Sequence, residues 1–241
     1  MTTPRFHIPD ALPHGGEVEL SVAAAHHALK VLRLGAGDAV TLFDGSGGEF
    51  DGRLDVRGRA VFAVDGQWRE IDRESPLFIV LAQALANGDK MDWIAQKAVE
   101  LGAAGLIPLR AERSVLRLSG ERADKRREHW RQVMIAACEQ CGRNRLPLVG
   151  PVTDLADYLE QEEYTQAQRL ILSPGGERLS MIDLSPERPI HLLIGPEGGW
   201  SAHELALARA CQPVTLGPRT LRTETAGLAA LAVLQAMWGD G

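Results

Sequence analysis

Two stretches of the chain hold residues whose types and spacing could do chemistry. In Ile194-Gly195-Pro196-Glu197-Gly198-Gly199-Trp200-Ser201-Ala202-His203-Glu204, an apolar run enters a glycine-rich turn, and Ser201 with Glu204 three residues on makes a capping box that opens a helix. Glycines at such a turn let backbone approach a ligand closely, and the unpaired N–H groups at a positive helix end suit a carboxylate or phosphate. An ordinary tight strand-to-helix turn shares the pattern. The second stretch is Leu216-Gly217-Pro218-Arg219-Thr220-Leu221-Arg222-Thr223-Glu224-Thr225-Ala226, which also leaves an apolar run and enters an apolar helix. Thr223 or Thr225 is expected to cap that helix, and Glu224 in its first turn suits the dipole. Arg222 does not suit it. A cation near a helix start is electrostatically unfavourable, so this one points at an anionic or carbonyl-rich substrate.

Other candidates are weaker. Cys138-x-x-Cys141 has the spacing of a thiol pair or half a zinc site, but Trp130, Val133, Met134, Ala137 and Cys141 recur at core spacing and no second ligand pair exists in the sequence. His26-His27 is either a surface pair or an RNA contact. Neither G-x-G-x-x-G after a strand nor G-x-x-x-x-G-K-[ST] occurs, so ordinary dinucleotide and P-loop sites lack their fingerprints. Gly45-Ser46-Gly47-Gly48 has no helix after it and reads as a hairpin loop.

The elements that must position these residues change character near Asp72 to Pro76. Before it, Ala39 to Phe43, Glu49 to Leu54 and Arg59 to Val64 are short alternating runs separated by Gly and Asp, with one helix predicted over Ala23 to Leu34. Residues 1–72 read as a small β-barrel domain. From 73 to 241 the pattern alternates strand and helix. Strands are predicted at Leu77 to Leu85, Gly105 to Leu109, Arg169 to Leu172, His191 to Ile194 and Pro213 to Leu216. Helices are predicted from about Met91 to Gly102, Asp124 to Cys141 and Thr225 to Trp238. Such alternation implies an α/β domain with a mostly parallel sheet covered on both faces, whose ligands sit at the strand carboxyl ends.

With 241 residues and 45% hydrophobic content, the chain can bury a substantial core. Its apolar runs fall short of the ~18 residues a membrane span needs, and Met1 to His7 has no signal core, so a cytoplasmic location is expected. The net charge of -6 argues against binding nucleic acid by bulk charge. That charge is uneven. Arg110 to Arg145 holds 10 Lys+Arg against 5 Asp+Glu, a local basic region on an otherwise acidic chain.

Together, Gly195-Pro196-Glu197-Gly198-Gly199, Leu216-Gly217 and Leu221-Arg222-Thr223-Glu224-Thr225-Ala226 resemble the knot region of SPOUT-class methyltransferases. More closely, the chain resembles the bacterial 16S rRNA (uracil N3)-methyltransferases. Further matches are Pro4-Arg5-Phe6, His26 to Arg33, Gly88-Asp89-Lys90-Met91-Asp92-Trp93, Lys97 to Gly102, Glu112-Arg113-Ser114 and Glu139-Gln140-Cys141-Gly142-Arg143, in family order along nearly the whole chain. Cys141 departs from the family, which more often has serine there.

The resemblance implies an amino-terminal PUA-like β-barrel that binds RNA and a carboxy-terminal SPOUT-like α/β domain tied in a trefoil knot. It implies S-adenosylmethionine as methyl donor, no metal, and a homodimer acting on 16S rRNA of the small ribosomal subunit, with no membrane or DNA partner. Another RNA base or a ribose is the alternative target. The cofactor is expected among Leu172, Ile194, Gly195, Glu197, Gly198, Gly199, Leu216, Gly217, Leu221, Arg222 and Thr223. Arg222 is expected to stabilise charge on the uracil, and Glu197 is a candidate proton acceptor or hydrogen-bond partner. Arg5, Lys30, Arg33, Arg113 and Arg143 are the expected RNA contacts. A small-molecule enzyme holding phosphate on the Gly195 loop, and a noncatalytic RNA-binding barrel, are the competing classes. The missing phosphate fingerprints count against the first and the paired ligand loops against the second.

Overall fold

Alternating apolar and polar side chains build the first sheet. The computed structural model describes residues 3–161, 164 and 166–241, and one of its two units comprises Met1–Glu74 with Cys138–Leu146. Five strands, β1 (Arg5–His7), β2 (Gly15–Glu19), β3 (Ala39–Phe43), β4 (Glu49–Arg57) and β5 (Ala60–Arg69), lie in the order β1-β3-β4-β5-β2. β1 is parallel to β3 and the other pairs are antiparallel. Phe6, Val40, Leu42, Phe50, Leu54, Val61 and Ala63 cluster with Ala24 and Ala28 in the core. Ala24 belongs to α1 (Val22–His26), which Ser21 caps and which widens into a π-turn over His27–Val31. The helix stops short of the expected Leu34 because Arg33 adopts a left-handed φ of 58°.

The segment Cys138–Leu146 would fall in the second domain if the chain were cut once near residue 72. It packs with the first unit through a charged network instead. Glu49, whose side chain is 1% exposed, accepts from Arg5 at 2.6 Å, Arg69 at 2.7 Å and Arg73 at 2.9 Å. Arg5 also donates to Asn144 Oδ1, and buried Arg143 is held by Glu74. Burial pushes the Glu49 carboxyl up, but the Arg73 and Arg5 guanidiniums outweigh it and hold the group at about 2.

The second unit comprises Ser75–Ala137 and Pro147–Gly241. Its strands are β6 (Ile79–Ala84), β7 (Gly105–Arg110), β8 (Leu148–Val149), β9 (Thr153–Asp154), β10 (Gln168–Arg178), β11 (Ile190–Ile194) and β12 (Gln212–Thr215). They lie in the order β12-β10-β11-β6-β7-β8, with β9 also on β7, and every pairing is parallel. Buried on both faces, β6 and β11 are apolar except for one buried polar residue each, Gln83 and His191. Pro108 lies inside β7, where a missing N–H would break a ladder. The break is absorbed because β8 pairs Gly105 and Leu106 while β9 pairs Leu109 and Arg110, leaving Pro108 unpaired on that side.

The helices are α2 (Lys90–Glu100), α3 (Gly120–Cys141), α4 (Leu155–Glu160), α5 (Ala202–Leu207) and α6 (Thr223–Trp238). Val80, Ala82, Ala84, Leu193 and Ile171 pack with Leu155 and Tyr158 of α4. The alternate side chains Leu81, Gln83 and Ile194 meet α6, where a Cβ on Gly227 would come within 3.2–3.3 Å of them. Leu228, Leu231 and Leu234 of α6 are buried, worth roughly 1.5–3 kcal/mol each. No helix among the described residues is long and apolar enough to cross a membrane.

Candidate active site

Because the sheet is parallel throughout, the carboxyl ends of its strands share one edge. There the loops after β6, β7, β11 and β12 gather with Leu172 of β10. β10 lies between β11 and β12, so the two glycine-bearing loops flank it. Such an edge is where open α/β sheets bind ligands.

The loop after β11 is rigidly braced. Gly199 N–H donates to Pro196 O at 2.8 Å and closes a turn that holds Gly199 at φ 68°, a conformation that favours glycine. Trp200 is buried, donates Nε1–H to Leu172 O at 3.2 Å, and sits 3.2 Å from where a Gly195 Cβ would lie. Arg113, from the loop after β7, donates to Gly198 O at 3.1 Å and Trp200 O at 3.4 Å. The expected capping box is present: Ser201 Oγ accepts from Glu204 N, and Glu204 accepts from Ser201 N at 2.8 Å. Glu204 also accepts from Glu112 N at 2.9 Å.

The loop after β12 is tied to it by Thr223. This corrects the capping expectation. Arg222, not a threonine, occupies the N-cap of α6, with no side-chain cap bond. The Thr223 hydroxyl donates to Gly195 O at 2.6 Å and accepts from Gln83 Nε2 at 2.9 Å, joining β6, the loop after β11 and α6. Arg222 is exposed, and its guanidinium has no hydrogen bond or ion pair among the described residues.

Two carboxylates and one ammonium complete the edge. Lys90, first residue of α2, lies 3.4 Å from Glu197 Oε1 and 3.3 Å from Glu224 Oε2. Asn87 N–H also donates to Glu197 at 3.3 Å. Burial pushes the Glu197 carboxyl up, but its own backbone N–H, that of Asn87, and the Lys90 ammonium prevail and hold it below the usual carboxylate range.

What remains open is a set of apolar side chains and bare backbone, the groups a nucleoside-bearing cofactor would use. Leu172, Leu216 and Leu221 are half-buried apolar side chains at the strand ends. Gly199 and Gly217, the latter at φ 135°, have no atom within 4 Å of a would-be Cβ, so their backbones are accessible. Other expected cofactor residues serve the frame. The Ile194 side chain is buried beneath α6, Gly195 is backed by Trp200, Gly198 lies against Arg113, and the Thr223 hydroxyl is engaged.

The expected RNA contacts divide in the same way. Arg5 and Arg143 are engaged inside the first unit, and Arg113 braces the Gly198 carbonyl, because each finds oxygens at bonding distance. Lys30 and Arg33 are exposed. Sequence reading missed Lys90 and Gln83. The conflict that singles out Arg222, a cation at a helix start, would have found Lys90; nothing local marks Gln83.

Comparison with known proteins matches residues 73–235 to an RNA methyltransferase domain and residues 20–60 to an RNA methyltransferase PUA domain. The Ribosomal RNA small subunit methyltransferase E of Bacillus subtilis (strain 168) is 35% identical over 219 residues, covering 87% of this chain and 86% of that one. The crystal structure of a Ribosomal RNA small subunit methyltransferase E from Neisseria gonorrhoeae, bound to S-adenosyl methionine, is 41% identical and superposes with a TM-score of 0.92 over 99% of both chains. A Legionella pneumophila protein solved with bound SAM is 38% identical, with a TM-score of 0.93 over the full length of both.

Proposed function

The chain belongs to the RNA methyltransferase family, and on that premise we propose that it transfers a methyl group from S-adenosylmethionine to N3 of one uridine in 16S rRNA of the small ribosomal subunit. Its relatives' names carry the small-subunit rRNA. The observation in this molecule that carries the reading is the Arg222 guanidinium, unpaired among the described residues, at a helix start that follows the Gly217 loop and is tied through Thr223 to the loop that bears Gly199.

When bound, S-adenosylmethionine supplies an electrophilic methyl group. Leu172, Leu216 and Leu221 would cover its adenine, and the Gly199 and Gly217 backbones would hold its polar atoms. No metal enters this chemistry. Uracil N3 is a weak acid and becomes nucleophilic only as its proton passes to solvent water, and the resulting negative charge spreads over the two carbonyl oxygens. Arg222 stays protonated at any working pH and offers a planar fork of donors to one of them. Glu197 is ionised but weakly basic, so its part is to accept a hydrogen bond and not the N3 proton.

RNA docking falls to the first unit through Lys30 and Arg33, with a homodimer in the cytoplasm as the working form. The test is calorimetry with S-adenosylmethionine followed by transfer of labelled methyl to small ribosomal subunits. Saturable binding and label in the RNA support the reading. Label absent from RNA despite cofactor binding refutes it.

A further inference from the structure

Lys90 is the first residue of α2, where the aligned N–H groups repel a positive charge, and no side-chain cap at Asp89 relieves that conflict. What holds the ammonium there is a pair of carboxylates from two other elements, Glu197 after β11 and Glu224 in the first turn of α6. Glu224 Oε2 is closed off from water and has no hydrogen bond of good geometry among the described residues, so the ammonium at 3.3 Å is its compensating charge.

We propose that Lys90 is a positioning residue for methyl transfer: by holding Glu224 against Glu197 it fixes the start of α6 on the braced loop after β11, and with it Arg222. The proposal rests on the methyl-transfer reading above. Asp89, Lys90 and Asp92 at the start of α2, Glu112 and Arg113 after β7, Glu197 after β11, and Arg222 and Glu224 from α6 are the charged groups at the ends of the elements that meet here; Asp92 is turned to His129 and Trp130, and Glu112 to His203. Arg113 is turned to the Gly198 and Trp200 carbonyls, and Arg222 pairs with neither carboxylate. Remove the ammonium and two carboxylates face each other uncompensated. One must then take a proton, or the loops must part.

Both consequences are measurable with Lys90→Met, using Lys90→Arg as the charge-retaining control. Carbon-13 titration of the glutamate carboxyls, done on the protein without cofactor or RNA, should show Glu197 titrating about one pH unit higher in Lys90→Met than in the wild type, since the ammonium is one of the groups that hold it down. In the presence of small subunits, kcat should fall about tenfold or more while the S-adenosylmethionine Kd stays within about threefold, since misplaced reacting groups cost rate more than cofactor binding. Lys90→Arg should restore most of both. Carboxyl titrations that do not move in Lys90→Met overturn the proposal. So does a parallel fall in kcat, cofactor affinity and Tm that Lys90→Arg fails to rescue, which marks a merely structural lysine. A wild-type protein that transfers no methyl would sink the methyl-transfer reading, and the titration would still decide whether Lys90 compensates the two carboxylates.

Discussion

Arg222 stands out because it breaks a local rule: a cation at the N-cap of a helix must be held there by something other than helix stability. If it stabilises charge on the base, Arg222→Ala should lower kcat by about 10²- to 10³-fold, as removal of one charge-stabilising donor does elsewhere. Cofactor binding by calorimetry should persist, and near-normal turnover would remove Arg222 from the mechanism. This residue was legible in the sequence because the conflict is with its immediate neighbours. Thr223, Arg5 and Arg143 were not, since their partners arrive from 28, 44 and 69 positions away. Glu49 shows what such distant pairing is worth. Its carboxyl is held at about 2 against an ordinary 4.5, so it contributes on the order of 3 kcal/mol above pH 4.5. That stability should fade as pH drops from about 4.5 through 2, because the unfolded chain takes up the proton first. Glu49→Gln should lower stability at pH 7 by a similar amount in urea melts and flatten this acid dependence. An unchanged melt would contradict the account.

At the scale of elements, the regular pieces with a clear period were readable and the short ones were not. Ala39–Phe43 emerged with the expected bounds, and α6 and β11 were found within two residues, because each has several consecutive side chains facing one environment. β8 and β9 have two residues each and β1 has three. Such strands exist only because a longer partner waits for them, so no periodicity announces them. β10 was expected to end at Leu172 but resumes after a register shift, with Leu172 and Glu177 both opposite Val214. The capping box after the glycine-rich loop was legible because it is local. Ser201→Ala removes a buried cap and should cost about 1–2 kcal/mol of stability by thermal or urea denaturation. A change below a few tenths of a kcal/mol would mean that Trp200 and Arg113 alone brace this loop.

At the scale of the whole molecule, two readings of the sequence need adjustment. A single cut near residue 72 leaves out Cys138–Leu146, whose membership in the first unit is written in ion pairs and not in composition. The basic stretch from Arg110 to Arg145 is also less available than its count of ten cations suggests. Arg110 pairs with Asp154, Arg117 and Arg127 hold backbone carbonyls, Lys125 and Arg131 pair along α3, and Arg145 donates to Ser46 O. Among the described residues, Arg122 and Arg126 are the two of the ten that make no such contact. Composition counts charges but not their partners, which is why an RNA footprint cannot be read from it. The parallel sheet was legible, because alternation of strand and helix leaves few other solutions.

The most direct test of the central claim is base-resolved mapping of small-subunit RNA, by mass spectrometry of nuclease fragments, after incubation with the purified protein and S-adenosylmethionine. The account predicts one added methyl, on N3 of a single uridine in 16S rRNA, absent when Arg222→Ala replaces the wild type. A methyl on another base or on a ribose, or RNA left unmodified while the cofactor binds, would contradict it.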